Sequence, residues 1–334
     1  MDYSRQISLI GTSKQESLAD RKVAVIGAGG LGSFVAMGLA ASGVGHLFIV
    51  DFDQVSKSNL HRQFLYNQED IGRNKAEVLV EKIQRLNPEV QCRYIPEFLN
   101  NELAEELFKK VDIIVDCVDH MPTKYRINDV ALSNDKPLVY GSLYKYDAYW
   151  GIFNVNDSAH LRDFFPDSEN QVDLSCEEVG ILNPIVNLCA AMQVNLVLNY
   201  FLKNDLPLNQ LVIYNINKQQ QFVMKASENR SRSRVYKETD LERSWVDFNP
   251  EEDALYGLID FEYTGAKIQS NLTQQTFEEF VMNLEGSRRI FVYCQRGISS
   301  LRFVKEEHAT SENDQIYSVE GGLKSLQVLR RKKD

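Results

Sequence analysis

Cysteine is sparse in this chain: five residues (Cys92, Cys117, Cys176, Cys189 and Cys294) in 334, with no close pairs. That spacing excludes a disulfide framework and fits a reducing compartment. Long apolar runs are missing too. The longest, residues 185–202, is interrupted by Asn187, Gln193, Asn195 and Asn199, so it reads as a buried helix and not a bilayer span. Nothing at the N-terminus reads as a signal peptide, and the cytoplasm is the expected location. Positive charge is in deficit, 37 Lys and Arg against 47 Asp and Glu, for a net charge of -10. A general nucleic-acid binder is therefore disfavoured, although a local basic cluster can still grip a phosphate. Hydrophobic content of 43% and charged content of 25% are those of a soluble globular protein, here long enough for one large domain and one small one.

Residues 23–26 form a short apolar run ending at Gly27. A segment with helical potential follows over 31–41, and a second apolar run, 47–50, is closed by Asp51. Strand, glycine turn, helix and strand fit within about thirty residues, the size of a βαβ unit. Ala76, Leu79, Ile83 and Leu86 then recur at helical spacing, and Asn87-Pro88 ends that helix. Residues 90–95, 113–115 and 138–140 read as further strands between helical segments, which predicts a Rossmann-like, mainly parallel sheet with helices on both faces. From Ala148 the pattern changes: 148–155, 211–216 and 221–225 look like an antiparallel extension, with the 185–202 helix between them. Residues 227–240 (SENRSRSRVYKETD) have almost nothing to bury and read as a linker. Beyond it, 256–259, 290–293 and 315–318 are short strands in a second, smaller α/β domain. The expected organisation is 1–226, linker 227–240, and 241–334.

Gly27, Gly29, Gly30 and Gly32 make a glycine turn between strand and helix, where bare N–H groups meet phosphate. Asp51, about twenty residues on, can accept ribose hydroxyls. On these features alone only a nucleotide site follows, and a nicotinamide-dependent oxidoreductase would be the favoured reading. The balance shifts with Ser58-Asn59-Leu60-His61-Arg62-Gln63 and Gly72-Arg73-Asn74-Lys75, which set donors and cations after the ribose-reading strand. A triphosphate under attack at phosphorus needs such cations, whereas a dinucleotide is served largely by the helix N-terminus. Lys75 also opens a helix, where positive charge costs stability. Asp116 and Asp119 close another strand. Asp119 can face the phosphates and hold Mg²⁺, or instead cap the helix beginning near Pro122. Asp116 is expected to be structural.

Taken together, these motifs resemble the ubiquitin-activating-enzyme-like superfamily, in particular the bacterial adenylyltransferases for the thiamin and molybdopterin sulfur carriers. The likeness covers residues 1 to 226. It runs through Tyr3-Ser4-Arg5-Gln6, GAGGLGS, Asp51-Phe52-Asp53, SNLHRQ, GRNKAE, DCVDH and Cys176-Glu-Glu-Val-Gly180. The resemblance implies that the chain uses ATP to adenylate the C-terminal glycine carboxylate of a small ubiquitin-like carrier ending in Gly-Gly, with release of pyrophosphate. Asp51 would bind ribose, and Ser58, Asn59, Leu60, His61 and Arg62 would line the ATP site. Asn59 and Arg62 would meet the phosphates, Lys75 the triphosphate and Asp119 the Mg²⁺. His120 stands where the family more often has Asn. Arg5 would reach the neighbouring subunit's site in a homodimer. A different substrate of the same superfamily, a tRNA nucleoside or a peptide, is the other reading of this likeness.

Family members usually bind a structural zinc through two CxxC pairs. Here the first pair's place holds His160 and Asp163, and the second, near 226–232, has no cysteine. No structural zinc is expected, and His160 reads as a surface residue. Cys92, Cys117 and Cys189 lie in apolar segments and read as core. Cys176 stands at a place where the family often has a cysteine on a loop crossing the active site. It is open between sulfur or acyl transfer and an inert thiol, since Glu177 and Glu178 would raise its pKa. The C-terminal segment resembles a rhodanese-like domain, possibly shortened: residues 290–293 run into Cys294, then Gln295-Arg296-Gly297 and a helix. That likeness implies a persulfide on Cys294, loaded by a donor such as a cysteine desulfurase, that attacks the acyl-adenylate.

Overall fold

The computed structural model describes residues 1–165 and 180–226, and beyond them residues 242–243, 254–257, 270–272, 290–293, 304 and 316–319. The chain divides into two units, Met1–Tyr236 and Lys237–Asp334.

In the first unit, helices α1 (Ser4–Ile10) and α2 (Thr12–Ser17) precede β1 (Lys22–Ile26), α3 (Gly30–Ala41) and β2 (His46–Val50). Then come α4 (Lys75–Leu86), β3 (Gln91–Ile95), α5 (Asn101–Phe108), β4 (Ile113–Asp116), α6 (Met121–Ser133) and β5 (Leu138–Tyr144). The unit closes with β6 (Asp147–Phe153), α7 (Leu161–Phe164), α8 (Asn183–Phe201), β7 (Gln210–Asn215) and β8 (Gln220–Lys225). These strands form one eight-stranded sheet in the order β3-β2-β1-β4-β5-β6-β7-β8. β3 to β5 run parallel, and β5 to β8 pair antiparallel.

Alternation along β1 shows how both faces are covered. Val23 and Val25 enter one apolar core with residues of α3, α4 and α8, while Ala24 and Ile26 enter another with residues of α5, α6 and α7. The apolar segment at 185–202 is the core helix α8. Ile185, Val186, Cys189, Ala190, Gln193, Leu196, Val197 and Phe201 fall on its buried side, a helical stripe.

Two element ends differ from the sequence reading. β5 runs on to Tyr144 because it forms a hairpin with β6, pairing Tyr144 with Asp147. β6 stops at Phe153 because Asn154, Asn156 and Asp157 all take positive φ, a conformation tolerated by these side chains that breaks the ladder. Two residue assignments are also corrected. His160 is buried, since it starts α7 against the core and its backbone N–H donates to Asp163 Oδ2 at 2.9 Å. Cys92 lies on the sheet's edge strand and is only partly buried, whereas Cys117 and Cys189 are buried.

In the second unit β9 (Glu242–Arg243), β10 (Ala254–Gly257), β11 (Ser270–Leu272), β12 (Ile290–Tyr293) and β13 (Ile316–Val319) form a parallel sheet ordered β11-β10-β12-β13-β9. Ile290, Phe291, Val292 and Tyr293 are all buried, as expected of a central parallel strand. Cys294, which follows β12, and Cys176 lie outside the described residues.

Candidate active site

The glycine turn connects β1 to α3 at the carboxyl edge of the parallel strands, where such sheets bind ligands. Gly27 has φ of +94°, and a Cβ there would stand 2.9 Å from the carbonyl oxygen of Cys117. At Gly32 a Cβ would fall 1.7 Å from the carbonyl oxygen of Gly27, so only glycine lets α3 start this close to the turn. No side chain caps α3, whose N-terminus is left for an anion.

Asp51 directly follows β2 and is tied into the turn. Its Oδ2 accepts from the Ala28 N–H at 2.6 Å and its Oδ1 from the Asp53 N–H at 2.7 Å. Burial raises the Asp51 carboxyl above its ordinary pKa, Lys75 pulls it back down, and Asp53 raises it. Lys75 is the buried first residue of α4, with its Nζ 3.3 Å from Asp53 Oδ2. The two carboxylates offset the repulsion between this cation and the positive end of the helix. Asn74 fixes the junction, its side chain accepting from Glu77 N and donating to the carbonyls of Asp51 and Asp53.

The segment 58–63 folds across the turn. Arg62's carbonyl oxygen lies 3.1 Å from where a Cβ on Gly30 would stand, and Gln63 Nε2 lies 3.5 Å from the same point on Gly29. Asn59 is buried, and its carbonyl accepts from the N–H groups of Arg62 and Gln63. Leu60 packs against the core, while Ser58 and His61 are exposed. The Arg62 guanidinium donates to Ser58 O at 3.2 Å and sits 3.0 Å from His61 Nε2, so it lies along its own segment.

Asp119, three residues beyond β4, is exposed and has no hydrogen-bond partner among the described residues. It does not cap α6. The capping position falls to His120, whose Nδ1 is 2.9 Å from Thr123 Oγ1. Asp116 is structural, fully buried and paired with Lys124 Nζ at 3.0 Å. Burial pushes its carboxyl up and Lys124 pulls it back. Lys124 also donates to Gly141 O at 2.7 Å, and Gln193 Nε2 donates to Asp116 O at 2.8 Å. This network fixes the end of β4, against which Gly27 packs. Arg5 is exposed on α1 and makes no hydrogen bond or ion pair among the described residues.

The fold places three more residues here, of which the sequence marks only Gln63, and that only as one donor within SNLHRQ. Tyr66 is buried, and its hydroxyl donates to Ala28 O at 2.6 Å with Lys75 O at 3.2 Å, joining the turn to the start of α4. Gln63 is buried with its amide beside Gly29, and its Oε1 has no hydrogen-bond partner among the described residues. Lys124 is the third. No periodicity or motif spacing marks a lone tyrosine in a loop, but Gln63 lies inside SNLHRQ and was within reach.

The sulfur carrier protein adenylyltransferase of Thermus thermophilus is 44% identical to this chain over 154 residues, 46% of this chain and 57% of that protein. Adenylyltransferase and sulfurtransferase MOCS3 of Caenorhabditis briggsae is 38% identical over 195 residues, 57% of this chain and 48% of that protein. The chain thus spans about half the length of the curated relatives it matches. Among solved structures, Escherichia coli MccB with ATP superposes with a TM-score of 0.59 at 23% identity, over 68% of this chain and 72% of that one, a likeness of fold. Residues 3–235 match the ThiF family model, and the chain belongs to the ThiF family.

Proposed function

We propose that this chain uses ATP to adenylate the C-terminal glycine carboxylate of a small ubiquitin-like sulfur-carrier protein serving molybdopterin or thiamin synthesis. The observation that carries this reading is Lys75, buried at the start of α4 and joined to the glycine turn through Asp51 and through the Tyr66 hydroxyl. A buried cation there suits a triphosphate under attack, whereas a dinucleotide's pyrophosphate is served largely by the helix N-terminus. The names of the relatives, sulfur carrier protein adenylyltransferase among them, support the same substrate.

In the proposed reaction a carboxylate oxygen of the carrier attacks the α-phosphorus of ATP. The bond from that phosphorus to the bridging oxygen breaks, and pyrophosphate leaves with the electron pair. The products are acyl-adenylate and pyrophosphate. Asp51 holds the ribose, and the N-terminus of α3 with Lys75, Asn59 and Arg62 receives the phosphates. Because Lys75 is already fixed by Asp53, it needs little reorganisation as charge develops. Asp119 would hold Mg²⁺: an exposed carboxylate with no hydrogen-bond partner among the described residues suits an ion that takes one or two carboxylates plus phosphate oxygens. When bound, that ion neutralises phosphate charge. Arg5 would enter the site of a neighbouring subunit, which makes a homodimer part of the proposal, with the cytoplasm as its location.

Sulfur transfer follows in this reading. The terminal sulfur of a Cys294 persulfide, loaded by a desulfurase-type donor, attacks the acyl carbon and displaces AMP, leaving an acyl disulfide. A second thiol, with Cys176 one candidate, then attacks the Cys294 sulfur. This releases the thiocarboxylate and leaves a disulfide.

The test of adenylation is carrier-dependent exchange of radiolabelled pyrophosphate into ATP. Lys75→Ala and Arg62→Ala should each lower exchange by about 100-fold or more, with thermal unfolding showing that both variants fold. Wild-type exchange in both variants would remove the site assignment. Exchange that needs no Gly-Gly carrier but responds to a peptide or a tRNA nucleoside would move the chain to the other substrate reading.

A further inference from the structure

The two places at which relatives of this family hold zinc are joined in this chain by something else. Asn209, at φ +61°, ties Ala159, which precedes the first place, to Ala226, the one described residue of the second: its Oδ1 accepts from Ala159 N at 2.8 Å, and its own carbonyl accepts from Ala226 N at 3.0 Å. Residues 159–165 are then fastened to α6. Leu161 N donates to Asn128 Oδ1 at 2.9 Å, and Tyr125 Oη donates to Phe165 O at 2.9 Å. Arg162 makes a two-pronged ion pair with Asp129, Nε to Oδ1 at 3.0 Å and Nη2 to Oδ2 at 2.5 Å, with both side chains over nine-tenths buried. Its guanidinium also lies over the Tyr125 ring at 4.5 Å. Between the two places, Phe164 stacks on Phe153 with centroids 5.3 Å apart, and Phe165 and Ala226 pack into the same core.

Zinc does not fit this arrangement. His160 and Asp163 are the only ligand types at the first place, and Asp163 already accepts from the His160 N–H. A four-coordinate site needs two more donors, and the second place has no cysteine. We propose that Asn209, the Arg162–Asp129 pair and the Phe164 cluster form a metal-free clamp that does the fastening zinc does in relatives. The clamp holds the chain entering residue 166 against α6, the helix that begins two residues after Asp119. These are positioning residues, not catalytic ones.

The test uses the full chain, with elemental mass spectrometry and thermal unfolding as readouts. Neither depends on the chain adenylating a carrier. Zinc should be well below one per chain, and a strong zinc chelator should leave Tm unchanged. Asn209→Gly keeps the backbone conformation and removes the side-chain acceptor, so Tm should fall by about 2–4 °C. Asn209→Asp, which keeps the acceptor, should restore most of it. Arg162→Met should cost more, because it strands a buried carboxylate, and adding Asp129→Asn should recover part of the loss. Stoichiometric zinc whose removal lowers Tm would overturn the proposal. Wild-type Tm in both Asn209→Gly and Arg162→Met would do the same.

Discussion

Lys75 and Tyr66 illustrate what a single residue reveals of itself in a sequence. Lys75 is conspicuous because a cation at the first position of a helix is unfavourable unless something answers it, and the structure supplies Asp53 at 3.3 Å. Asp51 is conspicuous for a different reason: it directly follows an apolar strand at the edge where such sheets bind ligands, and Asp119 stands three residues past another. Tyr66 has no such signature. Its role comes from two carbonyls, on Ala28 and Lys75, that meet only after folding. Burial, and then the charges of Asp51 and Asp70, raise its phenol far above the usual range, so it stays protonated and donates. Tyr66→Phe therefore removes one buried donor and leaves the Ala28 carbonyl unmatched, at a cost of about 1–3 kcal/mol. Titration calorimetry should show ATP binding weakened by about 10-fold, with the ring's packing kept. Unchanged affinity would mean that the turn and α4 hold their places without this bond.

At the scale of elements, the strands and helices were legible because their patterns are strong. The continuous apolar runs of β1, β2 and β4 mark strands buried on both faces, and α4 carries a regular apolar stripe. The misread ends had other causes. β5 outlasts its apolar run through pairing with β6, and three Asn and Asp residues in the left-handed region end β6. His160 was misplaced because burial under a polar cap leaves no periodic trace. Within the glycine turn, equal letters hide unequal constraints, and this gives a contrast to measure. Gly32→Ala would put a Cβ 1.7 Å from a backbone oxygen that cannot yield, so α3 must shift. Gly29→Ala meets nothing closer than 3.5 Å, the flexible end of Gln63. The first variant should unfold far below the wild-type Tm or fail to accumulate. The second should fold normally and lose nucleotide affinity through crowding of the phosphates. Equal Tm in both would mean that the helix does not need its close approach to the turn.

For the whole molecule, the decisive question is where sulfur chemistry can take place. Cys117 and Cys189 are buried, and burial pushes the Cys189 thiol up to about 12 and that of Cys117 well above its ordinary value. Cys92 is only partly buried, yet burial also lifts it to about 12. Since the thiolate is the nucleophile, burial disfavours reaction at these three near neutrality, and the proposed transfer falls to Cys176 and Cys294. Alkylation of the native chain at pH 7.5 should therefore leave Cys92, Cys117 and Cys189 unmodified in a peptide map. Cys294→Ala should retain carrier-dependent pyrophosphate exchange, because the glycine-turn site belongs to the other unit, and should abolish formation of the carrier thiocarboxylate. Retained thiocarboxylate in that variant would transfer the role to Cys176 or to another protein. Rapid labelling of Cys117 or Cys189 would instead show that the core beneath the glycine turn opens on the timescale of the experiment, and that burial does not protect those thiols.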